Sequence, residues 1–382
     1  MSKLKVLITQ AVPVNNGDAA LLIALYSSLI KKGYEVKIAT FYYSFVKDKY
    51  PDLPFIKELT DYYFLRKLPF LKGVFLKLNF LFNNEYRNND VFIACPGGYV
   101  NSYYQLKYAL LPLFLAKKNN SKTAIYSQSI GPFNSEDTQL FVNNGRMLDL
   151  VLVRDAFSSL MMKKIKYPSN YLITKDAAFL LSKRDFNGSK SKKVAVSVRE
   201  WGHDQRDMRK YISLIKGLCL KALENGFDIE FLSTCQGVKG YKNDAQLAEQ
   251  IKLELVNEDP ALIARVFVFS DYLNLYELMF KIQSYDFVIG TRLHMCILAL
   301  VNRVPAFNVS YEVKGLECYK YLDIKEYSVD FNASTEIAEN KLNQFILDIK
   351  DREEELFTTV RKVQGEVKAD FGKFVQALDL PR

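Results

Sequence analysis

The sequence predicts an α/β fold made of two doubly wound, Rossmann-like domains that face a central cleft. At 382 residues the chain exceeds the size that one hydrophobic core usually serves, so about two domains are expected. Short β-rich segments alternate with amphipathic segments of helical length, which is typical of parallel sheets. A polar stretch at residues 182–193 divides this alternation into two series and therefore indicates an interdomain linker.

The first series predicts an N-terminal domain over residues 1–185, and the second predicts a C-terminal domain over residues 193–350. The N-terminal strands are expected at 5–9, 35–40, 90–94, 123–128, 150–153 and 171–174. The C-terminal strands are expected at 194–198, 228–232, 266–269, 286–289 and 306–309. Helical stretches rich in Glu, Lys and Leu follow at 335–350 and 352–378. We expect the final piece, 351–382, to pack back on the N-terminal domain.

Composition limits the classes of protein that fit. Hydrophobic residues make up 49% and charged residues 25% of the chain, values that are ordinary for a globular protein. Five widely spaced cysteines predict reduced thiols. Met1 leads almost directly into the first strand, and no apolar run reaches the roughly 20 residues needed to cross a bilayer. The expected location is therefore the cytoplasm.

The formal charge of +9 is compatible with nucleic acid, anionic lipid or a small polyanionic substrate. The Lys and Arg residues are scattered, and neither zinc-finger spacing nor an aromatic RNA-binding signature is present. We therefore expect no nucleic-acid partner.

Residues 63–82 combine four basic residues, no acidic residue and many Phe and Leu side chains. Such a segment suits the surface of a bilayer, so one interpretation is peripheral contact with the inner face of the membrane. The alternative is a pair of short helices that cover the first sheet, with solvated lysines.

The strongest candidate for chemistry is the segment from Gly290 to His294, which follows an apolar strand and opens a predicted helix. Helix N-termini at the carboxyl ends of parallel strands favour bound anions. Thr291 is expected to cap the helix, and Arg292 to bind a phosphate or carboxylate through its guanidinium fork. His294 lies in the first turn, where it can exchange a proton with a ligand. The alternative is a structural Arg and a packed His.

Other cations also follow predicted strands. Lys314 comes shortly after strand 306–309, Arg199 ends strand 194–198, and Arg154 ends strand 150–153. They are expected at the same kind of edge, close to an anionic ligand. For Arg154 an equal alternative remains, in which it holds a buried Asp155 or Asp176.

Loops of small residues mark the N-terminal half. Asn16, Gly17 and Asp18 join the first strand to a helix expected to begin near residue 19, where Asp18 is either an N-cap or a general base. Gly97 and Gly98 form a predicted glycine loop after strand 90–94, and Ser129 follows strand 123–128. The chain has no Walker loop, no dinucleotide fingerprint and no Asp-x-Asp motif, so no metal is expected.

Taken in order, these motifs resemble those of the polysaccharide pyruvyl transferase family. The resemblance spans roughly residues 5–315. It rests on Asn16-Gly17-Asp18, Gly97-Gly98, 127–132, Arg154-Asp155, Asp176-Ala177, 197–199, Arg292-Leu293-His294 and Lys314. It implies a GT-B-like fold, no metal and no cofactor, with phosphoenolpyruvate as co-substrate. Tyr99 departs from the pattern, since the family often has a third glycine there, which leaves acceptor preference open.

The implied reaction moves the pyruvyl group of phosphoenolpyruvate onto two hydroxyls of a sugar as a cyclic ketal. The acceptor would be a bacterial surface-polysaccharide precursor, either free or lipid-linked, for a capsule or exopolysaccharide. His294 would be the catalytic acid and Asp18 the base. The implied donor-binding residues are Arg292, Lys314, Arg154, Arg199, Thr291 and Leu293. The implied acceptor-binding residues are Asn16, Gly17, Gly97, Gly98 and Ser129.

Two alternatives remain open. A metal-independent glycosyltransferase of the GT-B type would use a nucleotide sugar and release a nucleotide instead of phosphate. An inactive sugar- or anion-binding protein would bind the donor without turnover.

Overall fold

The computed structural model describes residues 3–59, 72–186, 188–200 and 207–380. The chain divides into two compact units. The N-terminal unit comprises Met1–Val14, Asp18–Leu180 and Glu366–Arg382, and the C-terminal unit comprises Asn15–Gly17 and Leu181–Gly365. The short segment Asn15–Gly17 therefore belongs to the C-terminal unit, although residues on both sides of it belong to the N-terminal one.

The N-terminal unit contains a parallel sheet in the order β3-β2-β1-β4-β6-β7-β8, with β5 paired to β6. Its strands are β1 (Lys5–Ala11), β2 (Glu35–Thr40), β3 (Phe55–Lys57), β4 (Val91–Ala94), β5 (Gly97–Val100), β6 (Lys122–Ile130), β7 (Leu150–Val153) and β8 (Leu172–Ile173). Its helices are α1 (Asn16–Lys31), α2 (Tyr43–Lys49), α3 (Lys72–Phe82), α4 (Asn84–Arg87), α5 (Leu106–Lys118), α6 (Ser135–Asn143) and α7 (Ala156–Lys164). The six strands predicted for this half are all present.

The C-terminal unit contains a second parallel sheet in the order β11-β10-β9-β12-β13-β14. Its strands are β9 (Lys193–Ser197), β10 (Asp228–Phe231), β11 (Val266–Val268), β12 (Phe287–Gly290), β13 (Ala306–Ser310) and β14 (Ser328–Asp330). Its helices are α8 (Met208–Glu224), α9 (Asp244–Glu258), α10 (Leu275–Ile282), α11 (Leu293–Val301), α12 (Val313–Tyr321) and α13 (Thr335–Asp351). The last helix, α14 (Glu353–Asp379), contributes residues to both units.

Both sheets have the strand order of the Rossmann fold, so the predicted fold class is confirmed. In each sheet the chain winds outwards from the first strand and then returns to add the fourth strand on the other side. The strand order therefore reverses between β1 and β4 in one unit and between β9 and β12 in the other. Ligands of such sheets bind beyond the carboxyl ends of the strands at this reversal.

The final helices differ in their packing. Helix α13 packs on α8 within the C-terminal unit. Residues of α14 from Glu366 onwards belong to the N-terminal unit, where the Tyr126 ring lies 4.8 Å from Phe374 and 5.7 Å from Phe371. The C-terminal unit extends to Gly365, beyond the predicted limit of residue 350, because the first half of α14 stays with that unit.

The segment at 63–82 is described only in part, since residues 63–71 lie outside the described residues. Its remainder is α3, in which Leu76 and Phe80 are buried in the core of the N-terminal unit. The opposite side of α3 exposes Val74, Leu78, Leu81 and Phe82. Within the described ranges no helix is long and apolar enough to cross a membrane. The peripheral membrane contact stays a prediction.

Candidate functional site

Two arginines and a lysine follow the three central strands of the C-terminal sheet. Arg199 lies just beyond β9, Arg292 just beyond β12, and Lys314 in the first turn of α12 after β13. Strand β12 pairs in parallel with both β9 and β13, so the carboxyl ends of all three strands meet at one edge. This cationic cluster, defined as Arg199, Arg292 and Lys314, therefore lies at the reversal of strand order, where an anionic ligand is expected.

Arg199 carries a charge that its surroundings only partly compensate. Burial and the nearby charge of Arg292 both lower its pKa. Its guanidinium stacks 4.2 Å from the Tyr311 ring centroid, and its Nη1 is 3.8 Å from the Glu312 carboxylate. The Nε atom is buried and has no hydrogen-bond partner among the described residues. A buried donor of this kind is costly unless a ligand accepts from it.

Arg292 is held by a buried aspartate. Its Nε and Nη2 donate to the two carboxylate oxygens of Asp244 at 2.8 and 2.7 Å, and the Asp244 side chain is only 3% exposed. Burial disfavours the charged guanidinium, but the Asp244 carboxylate more than offsets this and raises the pKa of Arg292. The guanidinium fork that the sequence assigned to a ligand thus engages Asp244, because a buried carboxylate needs a cation. Nη1 remains as the donor that can face a ligand.

A carboxylate also lies between the other two cations. Lys314 Nζ is 2.5 Å from one oxygen of Glu312, whose other oxygen is the one near Arg199. Lys314 Nζ lies 5.8 Å from the ring centroid of Tyr311. Glu312 precedes α12 without capping it through its side chain. A bound ligand anion would therefore compete with the Glu312 carboxylate for Arg199 and Lys314.

The start of α11 differs from the prediction in one respect. Arg292, not Thr291, is the residue at the N-cap position, and its side chain makes no capping hydrogen bond. The prediction that Thr291 caps this helix was therefore wrong, and its hydroxyl instead hydrogen-bonds the Tyr211 hydroxyl at 2.8 Å. Leu293 opens the helix with a buried side chain, so any contact it makes to a ligand would come from its backbone.

His294, the second residue of α11, lies against the glycine of the Asn15–Gly17 segment. A Cβ added to Gly17 would be 2.7 Å from His294 Nδ1. Asn16 fixes this segment, since its backbone N–H donates to the Thr234 carbonyl at 2.7 Å and its Nδ2 to the Leu273 carbonyl at 2.8 Å. Asn16 and Gly17, which the resemblance assigned to acceptor binding, thus lie beside the predicted acid of the C-terminal unit.

In the N-terminal unit, Arg154 is part of a buried polar network. Its Nη1 donates to Asp176 at 2.9 Å and its Nε to the Ser129 hydroxyl at 2.8 Å. Ser129 in turn donates to Asp155 at 2.5 Å. Arg154 and Asp176 are both almost completely buried. This arrangement fits the alternative in which Arg154 holds Asp176, and it places Ser129 in the same network.

Two local predictions in the N-terminal unit are wrong, namely the glycine loop and the N-cap role of Asp18, whereas the general-base role of Asp18 stays a prediction. Gly97 and Gly98 belong to strand β5, with Gly97 paired to Gln128, and do not form a free loop. Helix α1 begins at Asn16, so Asp18 lies in its first turn and is not the N-cap. Asp18 remains half-buried, and its charge adds to burial in raising the pKa of Cys95.

Asp244, Tyr211 and Glu312 were not found by sequence reasoning. Asp244 is the first residue of α9 and follows the cap residue Asn243, so it reads as an ordinary acidic residue at a helix start. Tyr211 is one of 24 tyrosines and carries no motif. Glu312 had a weak signal, because it stands between a strand end and Lys314. Across the described part of the chain, no group of three or more His, Cys, Asp or Glu side chains is placed to hold a metal ion.

Known proteins similar to this chain fall into two groups, relatives in sequence and relatives in fold. A family model described as polysaccharide pyruvyl transferase matches residues 15–313. The amylovoran biosynthesis protein AmsJ of Erwinia amylovora is 27% identical over 271 residues, which cover 65% of this chain and 63% of AmsJ. The chain thus spans less than two thirds of that curated relative.

Similar solved structures show the fold class. The glycotransferase of kitacinnamycin is 12% identical, with a TM-score of 0.57 and full coverage of both chains. A Listeria monocytogenes protein assigned as a UDP-N-acetylglucosamine 2-epimerase is 9% identical, with a TM-score of 0.60, and the match covers 97% of this chain and 98% of that one. At such low identity these matches support two Rossmann-like domains of the GT-B class and no particular activity.

Membership of a family is decided by the sequence match. The matched residues include the Asn15–Gly17 segment, the Arg154 network, Arg199 and Arg292, and the match ends one residue before Lys314. This is well over half of the chain. The chain therefore belongs to the polysaccharide pyruvyl transferase family.

Proposed function

We propose that this transferase moves the pyruvyl group of phosphoenolpyruvate onto two hydroxyls of a sugar, as a cyclic ketal, in a bacterial surface-polysaccharide precursor. Family membership supports pyruvyl transfer to a polysaccharide. The relative AmsJ is a biosynthesis protein for amylovoran, which supports a polysaccharide pathway as the setting. The donor and the product linkage are the parts of the proposal that need a test.

The cationic cluster is the observation that carries the choice of donor. Phosphoenolpyruvate bears a phosphate and a carboxylate on a three-carbon skeleton, so it needs several cationic donors within a small volume. Arg199, Arg292 and Lys314 supply them at the edge where the strand order reverses. The contacts of Glu312 support anion binding by this cluster, since its carboxylate is 3.8 Å from Arg199 and 2.5 Å from Lys314. The carboxylate or phosphate of a donor would replace it.

His294 is the proposed acid. The imidazolium donates its proton to the methylene carbon of phosphoenolpyruvate, which leaves the adjacent carbon electron-poor. One sugar hydroxyl adds its oxygen to that carbon and loses its proton to a base, for which Asp18 remains the candidate. The second hydroxyl then forms a bond to the same carbon as the bond to the phosphate oxygen breaks. Inorganic phosphate leaves, and the proton of the second hydroxyl passes to the departing phosphate or a base.

A direct assay tests the proposal. Purified protein is incubated with phosphoenolpyruvate and a panel of glycans containing galactose, mannose or glucosamine. Mass spectrometry should detect a glycan that has gained a pyruvyl ketal, together with one released phosphate per ketal. A parallel incubation with UDP-sugars measures nucleotide release. Nucleotide release without ketal formation would replace the proposal by the glycosyltransferase alternative, and donor binding without any product would favour the inactive binding protein.

A further inference from the structure

The two arginines of the cationic cluster stand on separate strand ends, and a single tyrosine hydroxyl bonds to both segments. Tyr211 lies in the first turn of α8 and is fully buried. Its hydroxyl accepts the backbone N–H of Arg199 at 3.2 Å and hydrogen-bonds the Thr291 hydroxyl at 2.8 Å. Thr291 directly precedes Arg292. The tyrosine therefore links the backbone carrying one arginine to the residue beside the other.

The chemistry of this hydroxyl suits a fixed link. Burial raises the pKa of Tyr211 above its ordinary value, although its hydrogen bonds with Thr291 and with the Arg199 backbone act in the opposite direction. The phenol is therefore neutral at any physiological pH. A neutral phenol has one proton to donate and lone pairs to accept, so it can bond to both segments at once.

The arginines need such a link because their charges repel. The charge of Arg292 is one cause of the lowered pKa of Arg199. Arg292 is anchored at its guanidinium by Asp244, whereas the Arg199 side chain has a 3.8 Å contact to Glu312 and stacks on the Tyr311 ring. Without a ligand, repulsion favours a wider spacing of the two side chains. The bonds of the Tyr211 hydroxyl to the Arg199 backbone and to the Thr291 side chain oppose that movement.

We infer that Tyr211 is a positioning residue, which sets the spacing of Arg199 and Arg292 so that one small ligand with two anionic groups can bind both. The inference rests on the proposed function of the cationic cluster. This role differs from a general role in folding, because both partners of the hydroxyl lie in the segments that carry the arginines.

The test removes the hydroxyl and keeps the ring. Tyr211→Phe is compared with Tyr319→Phe, since Tyr319 is equally buried in the same unit and its hydroxyl donates to the Ala306 carbonyl at 2.8 Å, outside the cluster. Calorimetry measures binding of phosphoenolpyruvate, and thermal unfolding measures stability. Both variants should lose stability, because Tyr319→Phe loses the bond to the Ala306 carbonyl and Tyr211→Phe loses the bonds to Arg199 and Thr291. Binding should weaken about 10-fold in Tyr211→Phe only.

Steady-state kinetics adds a second readout. A loss of positioning should raise KM for phosphoenolpyruvate in Tyr211→Phe while kcat changes little, because the acid His294 is untouched. If Tyr211→Phe does not fold, Thr291→Val removes the other partner of the Tyr211–Thr291 hydrogen bond and should also weaken the binding of phosphoenolpyruvate. Unchanged binding in the variant that folds, or equal weakening in Tyr319→Phe, would overturn the inference.

Inorganic phosphate as a second probe separates this inference from the proposed function. Wild-type protein that binds phosphate but not phosphoenolpyruvate would refute the proposed donor, and the comparison of Tyr211→Phe with Tyr319→Phe would then be made with phosphate. Weaker phosphate binding in Tyr211→Phe but not in Tyr319→Phe would still support the inference that Tyr211 positions the arginines. Wild-type protein that binds neither anion would overturn both proposals.

Discussion

The imidazole of His294 lies against the bare backbone of Gly17, so closely that a methyl group at position 17 would be 2.7 Å from Nδ1. Real Cβ atoms do not approach a ring nitrogen so closely, so a side chain there requires the imidazole or the backbone of residue 17 to shift. Gly17 is also held in place, because the neighbouring Asn16 donates to the carbonyls of Thr234 and Leu273. The contact therefore ties the orientation of the proposed acid to the size of residue 17.

Gly17→Ala should lower kcat by roughly 10- to 100-fold, because a small displacement of a catalytic group is costly to the rate. The affinity for phosphoenolpyruvate should change little, since the cationic cluster is not altered. The matched control is Gly372→Ala, a helical glycine on α14 with nothing within 4 Å of an added Cβ. Equal kcat values in the two variants would show that the orientation of His294 does not depend on Gly17.

Arg292→Ala should abolish most binding of phosphoenolpyruvate and also destabilise the fold. The stability loss, on the order of 3–5 kcal/mol in denaturant unfolding, follows because Asp244 would be left as an unpaired buried charge. The double variant Arg292→Ala/Asp244→Asn removes that charge and should recover much of the stability. In the double variant, the free energy of phosphoenolpyruvate binding measured by calorimetry should remain about 2–5 kcal/mol less favourable than in the wild type. Wild-type affinity in the double variant would remove Arg292 from the site.

Glu312→Gln should tighten the binding of phosphoenolpyruvate, by roughly 3- to 10-fold, because it weakens the internal competitor for Arg199 and Lys314. Helix α12 should be unaffected, since the Glu312 side chain does not cap it. Glu317→Gln on the same helix makes the same change in net charge and serves as the control. Weaker binding in Glu312→Gln would mean that this carboxylate orients the cations for the ligand.

The sheets could be predicted because their strands are buried on both faces and therefore read as continuous apolar runs. Strand β12, with every residue buried, is an example. The strands that were missed lack this signal. Strand β3 and strand β14 have only three residues each at sheet edges, and β5 begins with two glycines, which are weak strand formers.

The site could be predicted only as far as strand ends reveal it. Arg199, Arg292 and Lys314 follow apolar strands, so the sequence predicts that they lie at the same edge of the sheet. Their partners are not predicted, because Asp244 lies 48 residues from Arg292, and Tyr211 lies 80 residues from Thr291. Which cation is neutralised by which carboxylate depends on the packing of α8 and α9 on the sheet, and no local pattern encodes it.

The exposed apolar side of α3 gives a test of the predicted membrane contact. Vesicles rich in phosphatidylglycerol should sediment the protein, because apolar side chains can enter the bilayer boundary while basic residues meet anionic headgroups. Phe82 is 82% exposed, so Phe82→Glu should reduce sedimentation severalfold. Leu160→Glu, at a 65% exposed position on α7, introduces the same charge elsewhere in the unit and is the control. Equal sedimentation of the two variants would refute contact through α3.

His294→Gln should leave the affinity for phosphoenolpyruvate nearly intact but lower kcat by roughly 10²- to 10⁴-fold, the usual contribution of a positioned acid. Calorimetry measures the affinity and steady-state kinetics measures kcat, so the two effects are separated. A variant that loses donor binding but keeps kcat at saturation would make His294 a ligand-holding residue, and Lys314 would then be the next candidate for the acid.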